Sequence, residues 1–272
     1  MTNRNWKQPI SDRTVTILRD TIKEIPELWM EVYIGPGPES ERQPFKEYFA
    51  KARCTEAIKP EDADLVVFVG GADVNPAMYG AEKHYSTHFS TDRDKADMKL
   101  YSQCYEEGIP MLGVCRGAQL LYVMKGGKLY QDVDGHNSCH SMWDAVNRRV
   151  IHRVSSVHHQ MVVPDRKLGY EILGDSSAAS KRSLDNSRHD DGHKQDIEAF
   201  FFRDVCALGI QGHPEYKGFY EFSGWSYEMI QKYILENPDI DLIDNVRRLK
   251  PEIRAEREAA RKDIIEHSKE YN

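Results

Sequence analysis

Apolar and polar positions fall into two regimes along this chain. Short apolar runs at residues 14–18, 63–69 and 110–113 are β-branched or otherwise strand-like and read as buried strands. Between them, residues 45–57, 94–108 and the run after Cys115 read as helices, the last closed by Gly126-Gly127. Residues 35–44 alternate Pro and Gly and are expected to be loop. This strand–loop–helix order argues for an α/β fold with a parallel sheet and helices on both faces. From about residue 150 to 207 the pattern changes to short strands and turns. Within it, residues 176–186 are small and polar, with the signature of a mobile loop, and residues 187–193 read as a hairpin-like turn before the apolar run at 197–202. Aromatic residues cluster after Glu215, and residues 245–272 read as a long, densely charged helix. The boundaries follow: one α/β domain over residues 1–240 and a helical extension over 241–272.

A length of 272 residues suits one generous α/β domain with appendages. A net charge of −7 with both signs interspersed leaves no nucleic-acid footprint. No window approaches the roughly 18 apolar residues of a membrane span, and the start lacks a signal-like core, so a reducing cytoplasm is the expected location. The cysteines, Cys54, Cys104, Cys115, Cys139 and Cys206, are scattered and odd in number, which argues against a disulfide framework. Cys139 lies beside His136 and His140, but that run lacks a fourth ligand at familiar spacing; no metal and no cofactor are expected. His189, Asp190, Asp191 and His193 are explained more simply by a turn.

One cysteine stands apart. Cys115 follows an apolar strand, lies between Gly113 and Gly117, and precedes a helix-forming run. That is the strand–sharp turn–helix pattern that holds a nucleophile above a sheet. The glycines answer to the tightness of the turn, where a Cβ would collide with neighbouring backbone. Downstream, Gly212-His213-Pro214-Glu215 follows another strand end. His213 and Glu215 are two apart, so in extended chain their side chains leave the same face. The carboxylate can then hold one imidazole nitrogen while the other faces the thiol, giving a Cys-His-Glu triad. The amide of Arg116 and the Gly70-Gly71 loop, with Gly71 as its donor, are the expected oxyanion hole. All these positions lie at strand carboxyl ends, where parallel sheets carry their sites.

On these residues the chain resembles the class I glutamine amidotransferase superfamily, and within it the branch of γ-glutamyl hydrolases typified by γ-glutamyl-γ-aminobutyrate hydrolase. The matching segments are Gly70 to Pro76 with Tyr79-Gly80, Arg93-Asp94, Gly113 to Gln119 with Gly126 to Asp132, Ser156 to Gln160, and Gln211 to Glu215. The resemblance implies a three-layer flavodoxin-like fold with a mostly parallel sheet, and a thioester mechanism on glutamine or a γ-glutamyl amide. It places glutamyl binding around Gly71, Arg116 and Gln119, and His158, His159 and Gln160 along the pocket. It departs at Gly212, where the family usually carries Trp, a difference that bears on pocket shape and so on the leaving group. Two forms of this reading stand side by side: a stand-alone hydrolase of small γ-glutamyl conjugates, and a glutaminase supplying ammonia to a partner synthase. A catalytically idle binding protein on the same fold is the rival of a different class. The charged C-terminal helix is either a solvated surface or a contact with a second copy or a partner protein.

Overall fold

In the computed structural model the described residues are 25–190 and 192–237. The expected strand at residues 14–18 and the charged helix and domain boundary beyond residue 240 lie outside them. The first half of the described chain runs β1 (Glu31–Ile34), α1 (Glu39–Lys51), β2 (Thr55–Glu56), β3 (Leu65–Phe68), α2 (Thr91–Glu107), β4 (Met111–Val114) and α3 (Arg116–Met124). Then come β5 (Leu129–Tyr130), β6 (Asp132–Val133), β7 (His140–Asp144), β8 (Arg149–Val154), β9 (Met161–Val162), β10 (Glu171–Ser176), β11 (Arg182–Ser183), β12 (Asp196–Phe202), β13 (Ala207–Ile210) and α4 (Tyr220–Ile230).

Nine strands form one mixed sheet in the order β2-β1-β3-β4-β13-β12-β10-β7-β8. Pairing is parallel from β2 across to β13 and antiparallel from there to β8. The expected parallel sheet therefore describes the half that carries the candidate site, and the region of short strands supplies the antiparallel half. Burial differs between the centre of the sheet and its β7–β8 edge. In β3, β4 and β13 every residue is buried, as helix-covered strands require, whereas β7 and β8 mix buried and exposed positions.

Alternation along β3 sorts the core into two clusters. Leu65 and Val67 pack with Phe45, Tyr48 and Phe49 of α1 and with Phe222 and Trp225 of α4. Val66 and Phe68 pack with Leu100 and Cys104 of α2 and with Ala118 and Leu121 of α3. The two ends of α2 follow local rules. Ser90 Oγ accepts from the Arg93 amide at the start, and Gly108 ends the helix at φ 70°.

Two sequence expectations change. The helix expected from residue 45 begins at Glu39 and contains Pro44. The apolar stripe of Phe45, Tyr48 and Phe49 anchors it to the sheet, and Glu39 and Glu41 suit the positive end of its dipole. The polar stretch 176–186 holds β11, which pairs with β6, and the buried Arg182, whose Nη2 lies 2.5 Å from Asp196 Oδ1.

Candidate active site

Three adjacent parallel strands, β3, β4 and β13, end side by side and release three loops together. The first loop begins at Gly70, the second is the turn at Cys115, and the third carries His213. Register fixes their depth: Val114 is paired with Ile210, and the Cys115 amide donates to the Ile210 carbonyl at 2.8 Å.

Cys115 adopts φ 53° and ψ −111°, a conformation that costs a non-glycine residue about 1–3 kcal/mol. Its neighbours make that turn possible. A Cβ on Gly117 would lie 1.9 Å from the Phe68 carbonyl oxygen, and one on Gly113 would lie 2.5 Å from Gly117 backbone. The turn thus needs glycine on both sides, as the sequence pattern anticipates. The Cys115 side chain makes no capping bond to α3, so the helix start does not consume the sulfur.

His213 faces that sulfur. Its Nδ1 lies 2.6 Å from Glu215 Oε1, and its ring is within hydrogen-bonding reach of Cys115. Burial alone would lower the pKa of this imidazole. The sulfur of Cys115 and the carboxylate of Glu215 outweigh burial and hold it well above the ordinary histidine value. The ring also stacks on Tyr216, with centroids 4.4 Å apart and planes 8° from parallel. Its backbone is clamped by Ser155: the His213 amide donates to Ser155 Oγ at 2.6 Å, and the hydroxyl donates back to the His213 carbonyl at 2.9 Å.

Gly70 closes the site from the end of β3. A Cβ there would meet His213 Cε1 at 2.9 Å and come within 3.9 Å of the Cys115 Cβ. Arg93 fixes this loop. Its Nη2 donates to the carbonyls of Val69 at 3.1 Å and Gly70 at 3.2 Å, while Nε binds Asp97 at 2.8 Å and Nη1 binds Glu41 at 3.0 Å. In a trans peptide the N–H opposes the C=O, so anchoring the Gly70 carbonyl turns the Gly71 amide away from Arg93. The Arg116 amide opens α3 and has no acceptor within its helix.

The remaining predicted residues divide. The Arg116 side chain turns inward, pairing with Asp97 through Nη1 and with Asp94 through Nη2 at 2.5 Å, and only its backbone is left to the site. Gln119 Nε2 donates to the Gln160 carbonyl at 2.8 Å and to Gln211 Oε1 at 3.3 Å. Gln160 Nε2 donates to Thr87 Oγ1 at 3.2 Å. His159 lies between Asp73 and Asp132, 3.2 Å from each, and the Asp73 contact leads in raising its pKa. His158 turns toward His136, with ring centroids 4.6 Å apart. Gly212 has a packing reason: a Cβ would lie 2.7 Å from the Ser155 carbonyl and 2.9 Å from the Phe222 ring.

Sequence reasoning missed Ser155, Tyr216 and the loop-anchoring geometry of Arg93. Tyr216 follows Glu215 directly and carried a signal. Ser155 carried none, because its role depends on β8 ending beside the His213 loop.

Comparison with known proteins finds relatives over most of the chain. A glutamine amidotransferase-like protein of Lactococcus lactis subsp. lactis, provisionally so named, is 28% identical over 236 residues, which cover 80% of this chain and 92% of the relative. A provisionally named glutamine amidotransferase of Mycobacterium tuberculosis is 37% identical over 187 residues, 59% of this chain and 55% of its own. A glutamine amidotransferase crystal structure from Thermotoga maritima aligns with a TM-score of 0.48 at 17% identity, covering 82% of this chain and 92% of that one. The Peptidase C26 family model matches residues 58–215, which include Gly70, Arg93, Cys115, Ser155, His213 and Glu215. The chain belongs to the Peptidase C26 family of glutamine amidotransferase-like proteins.

Proposed function

We propose that this protein hydrolyses a γ-glutamyl amide bond through a thioester on Cys115, with His213 and Glu215 completing the triad. The observation that carries the reading is the strained Cys115 turn set against the Glu215-supported His213 and the close-packed Gly70.

The Cys115 sulfur attacks the γ-carbonyl carbon, and the proton resides on His213. The amides of Arg116 and Gly71 receive the oxyanion of the tetrahedral intermediate; losing one such donor typically costs about 10²–10³ in rate. Collapse breaks the C–N bond, and His213 passes its proton to the departing amine. Water, deprotonated by the now neutral His213, attacks the thioester, and the carboxylate leaves as the sulfur is restored. Glu215 keeps the imidazole oriented and stabilises its charged form throughout. No step calls for a cofactor.

A glutamine-analogue diazoketone is expected to label Cys115 and no other cysteine, and Cys115→Ala is expected to abolish turnover with the fold intact. Folded protein that remains unlabelled at Cys115 would favour the idle binding protein. Release of amine from γ-glutamyl-amines, measured against release of ammonia from glutamine, separates a stand-alone hydrolase from an ammonia donor to a synthase.

A further inference from the structure

Beside the triad the fold gathers a second polar cluster. His136 follows β6, His158 lies between β8 and β9, and Glu198 is within β12. One ligand-capable atom from each lies within 4.8 Å of the others, and all three residues are buried. The outer ring nitrogens are committed to acceptors: His136 Nε2 faces Asp196 Oδ2 at 3.3 Å, and His158 Nδ1 faces the Gln160 carbonyl at 3.1 Å. A neutral imidazole that donates outward keeps only a lone pair on its inner nitrogen. The inner nitrogens, His136 Nδ1 and His158 Nε2, each lie 3.2 Å from Ser156 Oγ, whose hydroxyl donates to the His136 carbonyl at 2.8 Å. His136 Nδ1 is also 3.7 Å from Glu198 Oε1. That oxygen accepts from His140 Nε2 at 2.7 Å and Ser176 Oγ at 2.8 Å, but Glu198 Oε2 is buried with no hydrogen-bond partner.

With both imidazoles neutral and donating outward, the centre of the cluster collects two lone pairs, a hydroxyl oxygen and a carboxylate, with too few protons to pair them. A cation satisfies that surplus. An outer hydrogen bond to a carboxylate or carbonyl is also the support that metal-bound imidazoles carry. Asp196 is in turn held by Arg182 Nε at 3.0 Å.

We propose that His136, His158 and Glu198 bind one divalent transition-metal ion, with zinc the best match to two imidazoles and a carboxylate. Zinc–ligand bonds of about 2.0–2.2 Å would draw these atoms closer together around the ion. The ion joins three separate segments around Ser156, whose neighbour Ser155 clamps the backbone of His213. Its role is to brace that wall, since the ligands are buried and none is a triad member. Cys139 is exposed and takes no part.

Metal-free full-length protein is expected to bind one equivalent of Zn²⁺ in competition with a chromophoric chelator, and one of Co²⁺ with a ligand-field band in the visible. Asp196→Asn, which weakens the outer support of His136, is expected to reduce zinc affinity about 10–100-fold. Cys139→Ser is expected to leave it unchanged. His158→Ala is expected to abolish stoichiometric binding. Replacing a buried histidine can disturb folding, so the wild-type cobalt titration decides by itself, and absence of a stoichiometric band overturns the site. Binding that persists in folded His158→Ala, or that disappears in Cys139→Ser, overturns it equally.

Discussion

At the scale of single residues, the candidate site depends on the charge state of one imidazole. Burial pulls the pKa of His213 down, and Cys115 and Glu215 together push it well above the ordinary value. Glu215→Gln removes part of the upward push, so the pKa of His213 falls. The alkaline limb of kcat/KM, where the leaving-group acid loses its proton, is expected to move to lower pH in this variant. His213→Asn removes the acid outright and is expected to cost on the order of 10²–10⁴ in rate, more than Glu215→Gln. A pH–rate profile of both variants measures this; an unmoved alkaline limb in Glu215→Gln would mean that the carboxylate does not tune the imidazole. Arg93 acts at one remove, as a positioning residue. Arg93→Lys keeps the charge but cannot hold two carbonyls and two carboxylates at once. The Gly70 loop then drifts, and kcat is expected to fall about 10²-fold with KM little changed. A parallel loss in KM would place Arg93 in substrate binding instead.

At the scale of elements, the base of the site is a joint between α2 and α3. Arg116 opens α3 and is almost fully buried, with Asp94 and Asp97 of α2 as its partners. Burial outweighs Arg116 at Asp94 and raises its carboxyl above the ordinary value, which shows how costly desolvation is there. Arg116→Met leaves two buried carboxyls without their cation and is expected to destabilise the fold by about 3–5 kcal/mol in urea unfolding. The backbone amide survives that change, so any residual folded protein should retain activity if only the amide serves catalysis. Gly117→Ala tests the same joint by sterics. The added carbon would meet backbone 1.9 Å away, where no side chain can yield, so soluble folded protein with wild-type activity would contradict the packing described.

At the scale of the whole molecule, the hairpin of β7 and β8 at the sheet edge is held by a carboxylate whose pKa couples stability to acid. Asp144 ends β7 and accepts from the amides of Val146 and Asn147, each at 3.0 Å, and from Arg149 Nε at 3.2 Å. Burial opposes its charge, but the hydrogen bonds from Asn147 and Arg149 prevail and lower its pKa. A carboxyl depressed on folding contributes stability that is complete above the unfolded value of about 3.9 and is lost as pH falls through the folded value. The melting temperature is therefore expected to fall with acid below about pH 4, and Asp144→Asn to be less stable at neutral pH with a shallower acid limb. Identical acid limbs in the two proteins would remove Asp144 from this account. No described helix is long and apolar enough to cross a membrane.

What the sequence determined by itself is the geometry of contiguous residues. Gly113 and Gly117 mark the turn at Cys115 because these near neighbours approach too closely for a Cβ on Gly113, and His213 with Glu215 specify a pair because their spacing sets a common face. The apolar runs likewise announce β3 and β4, since strands covered on both faces read as unbroken apolar runs. The start of α1 escaped because Pro44 and the preceding Pro and Gly look like loop until Phe45, Tyr48 and Phe49 have a sheet to pack on. Tertiary structure alone decided the meetings between distant segments. It turned the Arg116 side chain away from the site, gave His213 the Ser155 clamp, and set His158 and Glu198 beside His136. Such contacts depend on strand order and register, and nothing local in a segment encodes the partner that the sheet will bring to it.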